Sequence, residues 1–186
     1  GDGLRALARE GRSAGRALRL TGVDASAAVL EHARERSADH PEIEFRRADF
    51  LGADYQPEGV DVVTFNLCLH HFTDSQIERL LAKCRDAGVR AVAINDLHRH
   101  ALAHALFHAL CRALFVPRIA RHDGLLSVRK GFLRDELRRL ALASRPRSCE
   151  LTWRWAFRYQ CVLQFRGAPG AAVSSAGIRA DRRSIE

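Results

Sequence analysis

Residues 60–67 read Val-Asp-Val-Val-Thr-Phe-Asn-Leu. This near-continuous apolar run is too short for a typical helix, and a polar Asn66 stands near its end. It predicts a buried strand of a parallel sheet. Downstream, Asp74–Ala87 predicts an amphipathic helix with Ile77, Leu80, Leu81 and Cys84 on one face, closed by Gly88. Ala91–Asn95 (AVAIN) predicts a second buried strand. Upstream, Ile43–Asp49 alternates as a strand does, and Ser26–Ser37 predicts a helix with Ser26 as N-cap. Leu20–Asp24 (LTGVD) predicts a buried strand, and Leu4–Arg19 a helix broken near Gly11 to Gly15. Strands alternating with helices imply an α/β fold: a Rossmann-like, doubly wound, mostly parallel sheet.

Past residue 97 the pattern changes. His98–Phe115 predicts a long helix and opens a helical cap over about 98–130. Phe132–Leu142 predicts another helix. Leu151–Phe165 alternates over Leu151, Trp153, Trp155 and then Phe157, Tyr159, Cys161, Leu163, which predicts a C-terminal antiparallel strand or hairpin. Residues 166–186 have no period and predict a disordered tail, leaving 1–165 as one domain.

The whole chain has 186 residues, 47% apolar and 28% charged, enough for one buried core. Its apolar runs fall short of a membrane-spanning helix. The absence of methionine and the Gly1 start predict a chain that begins inside a longer reading frame or after processing. The net charge of +8 is uneven. Residues 1–100 hold 14 Lys+Arg against 16 Asp+Glu, and residues 101–186 hold 16 against 6. The second half can attract anions, although only two of the 30 basic residues are lysines, as biased base composition also produces. Five scattered cysteines without a C-x-x-C pair argue against a disulfide framework and a cysteine zinc site, and point to a reducing cytoplasm.

In open parallel sheets ligands bind at the carboxyl ends of the strands. The predicted strands end in Asp24, Asp49, Asn66 and Asn95-Asp96. A strand-end carboxylate can accept hydrogen bonds from ribose hydroxyls, and a second from a base amine; each can equally cap the helix that follows.

Gly1-Asp2-Gly3-Leu4, Val23-Asp24-Ala25-Ser26, Ala48-Asp49-Phe50, Val60–Asn66 and Leu69-His70-His71-Phe72, in that order, resemble the class I S-adenosylmethionine-dependent methyltransferases. The similarity is closest to those that modify quinones and polyketides, and it covers about residues 1–165. The resemblance implies S-adenosylmethionine as cofactor and methyl transfer to a small, apolar organic acceptor. It implies that Gly1 is the last glycine of the cofactor turn and that Asp24 holds the ribose hydroxyls beside Ala25. Asp49 would receive the adenine amine with Phe50 against the ring, and Asn66 and Leu67 would line the methionine end. His71 would face the methyl-transfer site. The family's first strand and most of its glycine turn would precede Gly1.

Histidine suits a general base, so His70 and His71 are the catalytic candidates. His100, His104, His108 and Arg112 recur every four residues and form one stripe on a helix. That stripe faces solvent or lines the acceptor pocket, with His100 and His104 as substrate candidates. No carboxylate completes a metal site beside it. Leu102, Leu106, Phe107, Leu110, Leu114 and Phe115 are expected mainly in the core, an apolar acceptor or a peripheral membrane contact being the alternatives. His122 and Asp123 are further substrate candidates, although Asp123-Gly124 reads equally as a turn.

A short-chain dehydrogenase would place Lys four residues after a Tyr; Gly59 and Leu163 follow Tyr55 and Tyr159 at that spacing. The Asn-Pro-Pro-aromatic run of base-amine methyltransferases is absent at Asn66-Leu67-Cys68-Leu69, so nucleic acid is not the favoured partner. The alternatives are a non-catalytic methyltransferase-like domain and an RNA-directed enzyme.

Overall fold

The computed structural model describes residues 1–52 and 55–166. The predicted tail thus lies outside the described residues, apart from Arg166. Helix α1 (Asp2–Ser13) leads to β1 (Leu20–Asp24), α2 (Ala27–Glu35) and β2 (Ile43–Arg47). Next come β3 (Val62–Asn66), a 3-10 turn (Leu69–His71), α3 (Asp74–Asp86) and β4 (Ala91–Leu97). Two cap helices, α4 (Ala101–Ala113) and α5 (Arg118–Lys130), precede α6 (Arg134–Ala143) and the strands β5 (Ser148–Arg154) and β6 (Arg158–Gln164). Predicted and observed elements agree to within a few residues, except in the cap.

The strands form two sheets. β1 and β2 pair in parallel from Leu20↔Ile43 to Asp24↔Arg47. The second sheet has the order β3-β4-β6-β5, with β3–β4 parallel and the other pairs antiparallel. Its buried core includes Phe65, Leu69, Ile77, Leu81, Ile94, Leu137, Leu140 and Leu163, all from residues 65–163, with Phe50, Leu51, Val63 and Phe165 among the half-buried side chains packed against it. Each fully buried aliphatic side chain there contributes about 1.5–3 kcal/mol. Local signals agree with this packing. Thr73 and Gln76 form a reciprocal capping box at the start of α3, and Ser26 caps α2 as expected.

Three expectations are corrected. First, β1 and β3 are not fully buried: Val62 is 52% exposed and no residue of β1 is buried. β1 has β2 on one side only and β3 has β4 on one side only, so each leaves one edge unpaired among the described residues. Second, Asp123-Gly124 is no turn but lies within α5. A Cβ on Gly124 would stand 2.4 Å from Phe107 Cζ, so the glycine admits the α4 ring against α5. Third, α4 is turned the other way. Ala103 and Cys111 are buried, while Leu102, Leu106, Leu110 and Leu114 are exposed.

The cap is tied at its base. Phe132 N donates to Leu97 O (2.8 Å) and Arg99 N to Phe132 O (3.0 Å). A Cβ on Gly131 would lie 2.7 Å from Leu97 O, so glycine permits this closure. The β5–β6 hairpin turns through Trp155-Ala156-Phe157. Ala156 (φ 64°) and Phe157 (φ 55°) take left-handed conformations. Glycine or asparagine there would have marked the turn in the sequence.

Candidate active site

The carboxyl ends of the strands carry two groups of candidates. In the first, Asp24 closes β1 and its Oδ1 accepts from Ser26 N at 2.8 Å, a turn just ahead of α2, whose N-cap is Ser26 rather than Asp24. Its Oδ2 makes no hydrogen bond among the described residues. Ala25 is exposed, and its carbonyl accepts from Arg47 Nε (3.1 Å). Ala48 N donates to Asp24 O (3.1 Å), which binds this end of β1 to the chain leaving β2. Asp49 is exposed and accepts from Leu51 N (2.9 Å). Phe50 meets Phe72 edge-on with ring centroids 5.5 Å apart, a contact that joins this group to the second.

The second group lies where β3 and β4 end together. Asn66 and Asn95 are register partners, and Asn95 Nδ2 donates to Asn66 Oδ1 at 2.6 Å. Leu67 N donates to Asn95 O (2.8 Å) with Leu67 at φ 53°, a strained backbone for a branched residue. That reversal carries the chain into the 3-10 turn of His70 and His71.

Asp96 organises the turn. It is wholly buried. Its Oδ2 accepts from Leu69 N (2.8 Å), and its Oδ1 accepts from Leu97 N (2.8 Å) and from His70 Nδ1 (2.7 Å). A buried carboxylate requires such partners. His70 is buried with it, and its Nε2 has no protein partner. This ring borders a small cleft of about 150 Å³ shared with Arg99, Lys130 and Glu136. His71 is exposed, with its ring centroid 4.1 Å from that of His70. Partial burial, then His70 and Lys130, lower the His71 pKa, with Asp96 opposing them.

The remaining candidates stand apart. Gly1 packs at the far end of α2, where a Cβ would lie 3.5 Å from Ala33 Cβ and 3.4 Å from Ser37 Oγ. Asp24 heads that helix, so about 14 Å of α2 separates the two. Arg5 Nη1 donates to Ser37 Oγ (3.3 Å) and draws the start of α1 to this place. His100 caps α4, its Nδ1 accepting from Leu102 N (3.1 Å), and stacks on Phe157. His104 is half-buried in α4, and His122 and Asp123 are exposed on α5. A depression of about 650 Å³ between Arg12, Leu18 and Pro41 lies at the amino ends of β1 and β2, away from both groups.

Sequence reasoning missed Asp96 as an organiser. It noted only that a strand ended in Asn95-Asp96. The role depends on His70, 26 residues away.

Residues 1–88 match a family model described as a methyltransferase domain. The chain is 32% identical over 126 residues to the 2-phytyl-1,4-naphtoquinone methyltransferase of Thermosynechococcus vestitus. That alignment covers 67% of this chain and 55% of the relative, so the chain spans about half the length of the curated protein it matches. An O-methyltransferase family protein from Burkholderia thailandensis shares the fold at TM-score 0.61 and 17% identity, over 88% of this chain and 48% of that one. The S-adenosylmethionine-dependent methyltransferase SibL does so at TM-score 0.60 and 19% identity, over 85% and 46%. Residues 1–88 thus resemble a methyltransferase domain, and the chain shares its fold with methyltransferases of known structure.

Proposed function

We propose that this protein transfers a methyl group from S-adenosylmethionine to a small, apolar acceptor, with His71 as the proton acceptor. One observation carries the reading. Asp24 ends β1 and Asp49 follows β2 of one parallel strand pair, while Asn66 ends β3 of another and His71 sits in the 3-10 turn that follows it.

The residues present fit the adenosine end of the cofactor. Asp24 keeps one carboxylate oxygen for the ribose hydroxyls, Ala25 is open beside it, and Asp49 is exposed for the base amine. Phe50 offers a ring edge already fixed by Phe72. When bound, the cofactor supplies an electrophilic methyl on a sulfonium. Asn66 and Leu67 would line its methionine end. Methyl transfer needs an aligned acceptor above all. His71, with its lowered pKa, is neutral at pH 7 and free to take the acceptor's proton. His70 is clamped by Asp96 and orients its neighbour, so it is a positioning residue. The relative that acts on a phytyl naphthoquinone supports an apolar ring as acceptor, and a cytoplasmic setting suits the unpaired cysteines.

Calorimetric titration of S-adenosylhomocysteine tests the cofactor site. It should be run on these 186 residues and on a chain extended upstream through a full glycine turn, with Asp24→Ala as control. Binding that the control loses supports the reading. Binding by neither chain would leave a non-catalytic methyltransferase-like domain as the better account.

A further inference from the structure

The helical hairpin of the cap ends in an apolar tip. Leu114 is 65% exposed, Phe115 92% and Ile119 78%. Leu102, Leu106 and Leu110 continue this surface along α4 at four-residue spacing, each more than half exposed. They form one flank of the helix. The buried Ala103 and Cys111 and the half-buried Phe107 lie between them and the histidines at 104 and 108. An apolar stripe of this length turned to solvent marks a surface that meets something.

Two further observations say what it meets. Residues 101–130 carry five basic side chains against one acid, Asp123. Arg112 and Arg118 flank the tip and are both exposed. Phe115 also holds a left-handed backbone, φ 52°, directly after the end of α4. Glycine suits that position. A phenylalanine there, with its ring in solvent, is strained while gaining little packing among the described residues.

We infer that the α4–α5 tip docks on an anionic lipid surface, with Phe115, Ile119 and Leu114 entering the headgroup region and Arg112 and Arg118 meeting lipid phosphates. Apolar insertion and basic attraction supply the two contributions that interfacial binding needs. A second copy of the chain is the poorer occupant. A two-fold contact on this tip would bring the arginines of both copies together. The inference stands apart from the methyl-transfer reading, since none of its residues belongs to the strand-end site.

Vesicle flotation of the 186-residue chain tests it. Phosphatidylcholine vesicles containing phosphatidylglycerol should retain the protein at least about tenfold better than phosphatidylcholine alone, with the advantage shrinking at high salt. Phe115→Gly should weaken retention about tenfold. Its thermal midpoint should hold or rise, because glycine relieves the left-handed backbone. This separates lost docking from lost folding. Arg118→Glu should remove the preference for anionic vesicles and leave the fold intact. Equal retention on both vesicle types, or on neither, would overturn the inference. So would a concentration-dependent dimer that Phe115→Gly dissociates, without affinity for vesicles.

Discussion

Two regions of the molecule carry the same kinds of element but hold them in different ways. Residues 1–47 form α1-β1-α2-β2, and their buried apolar side chains are few: Ala8, Leu30 and Ala33. Residues 62–166 form a four-stranded sheet with helices packed on it and hold the whole main core. A two-stranded sheet is marginal by itself. The first region leans on ion pairs such as Arg12–Glu42 (2.6 Å), half in solvent and worth little each. Lys83 of the second region donates to Phe50 O (3.3 Å) and Gly52 O (2.6 Å), and Phe50 meets Phe72. The difference falls across the candidate site: Asp24 belongs to the weakly packed region, Asp49 follows directly after it, and His70 and His71 belong to the well-packed one.

The largest effect expected is that of Asp96→Ala. It strips partners from Leu69 N, Leu97 N and His70 in a dry site, and should cost about 3–5 kcal/mol. Urea unfolding followed by the fluorescence of Trp153 and Trp155 checks it. An effect under about 1 kcal/mol would mean that the cluster is not the keystone of the second region.

A matched pair of truncations sharpens the contrast. Leu140→Ala in the main core should cost about 2–5 kcal/mol by the same assay. Leu30→Ala, in the first region, should cost about 2 kcal/mol or less and should speed amide exchange in β1 and β2 with little change in β4. Equal costs would erase the distinction.

Lys83→Met should loosen the first region by about 1 kcal/mol, seen as faster exchange near Phe50 and Gly52 and none in β6. Uniform acceleration across both regions would show that they unfold as one body.

The smallest effect comes from pH. The His71 pKa is lowered from its ordinary 6.5, so between the lowered value and 6.5 the unfolded chain binds more protons than the folded one. Stability should therefore rise with pH through that window and weaken as pH falls through it. His71→Gln should flatten the slope, and a slope unchanged in the variant would remove His71 as its source. If His71 is the proton acceptor, methyl transfer should also rise through a midpoint below 6.5 and level off by neutrality.

Much of this protein was legible in its residues alone. Strand runs such as Leu20–Asp24 and Ala91–Asn95, the cap at Ser26, and the apolar face of α3 are local patterns, and a local pattern survives folding when the packing agrees with it. The strand-end positions of Asp24 and Asn66 followed from the same periodicity. Tertiary structure decided the rest. Burial of Asp96 depends on His70 across the sheet end, and the place of Gly1 depends on Arg5 reaching Ser37. The outward leucines of α4 show the limit most plainly. Its residue pattern makes that helix amphipathic, but which side faces inward depends on Phe107 meeting Gly124 of α5, a contact between two helices that the periodicity of neither one contains.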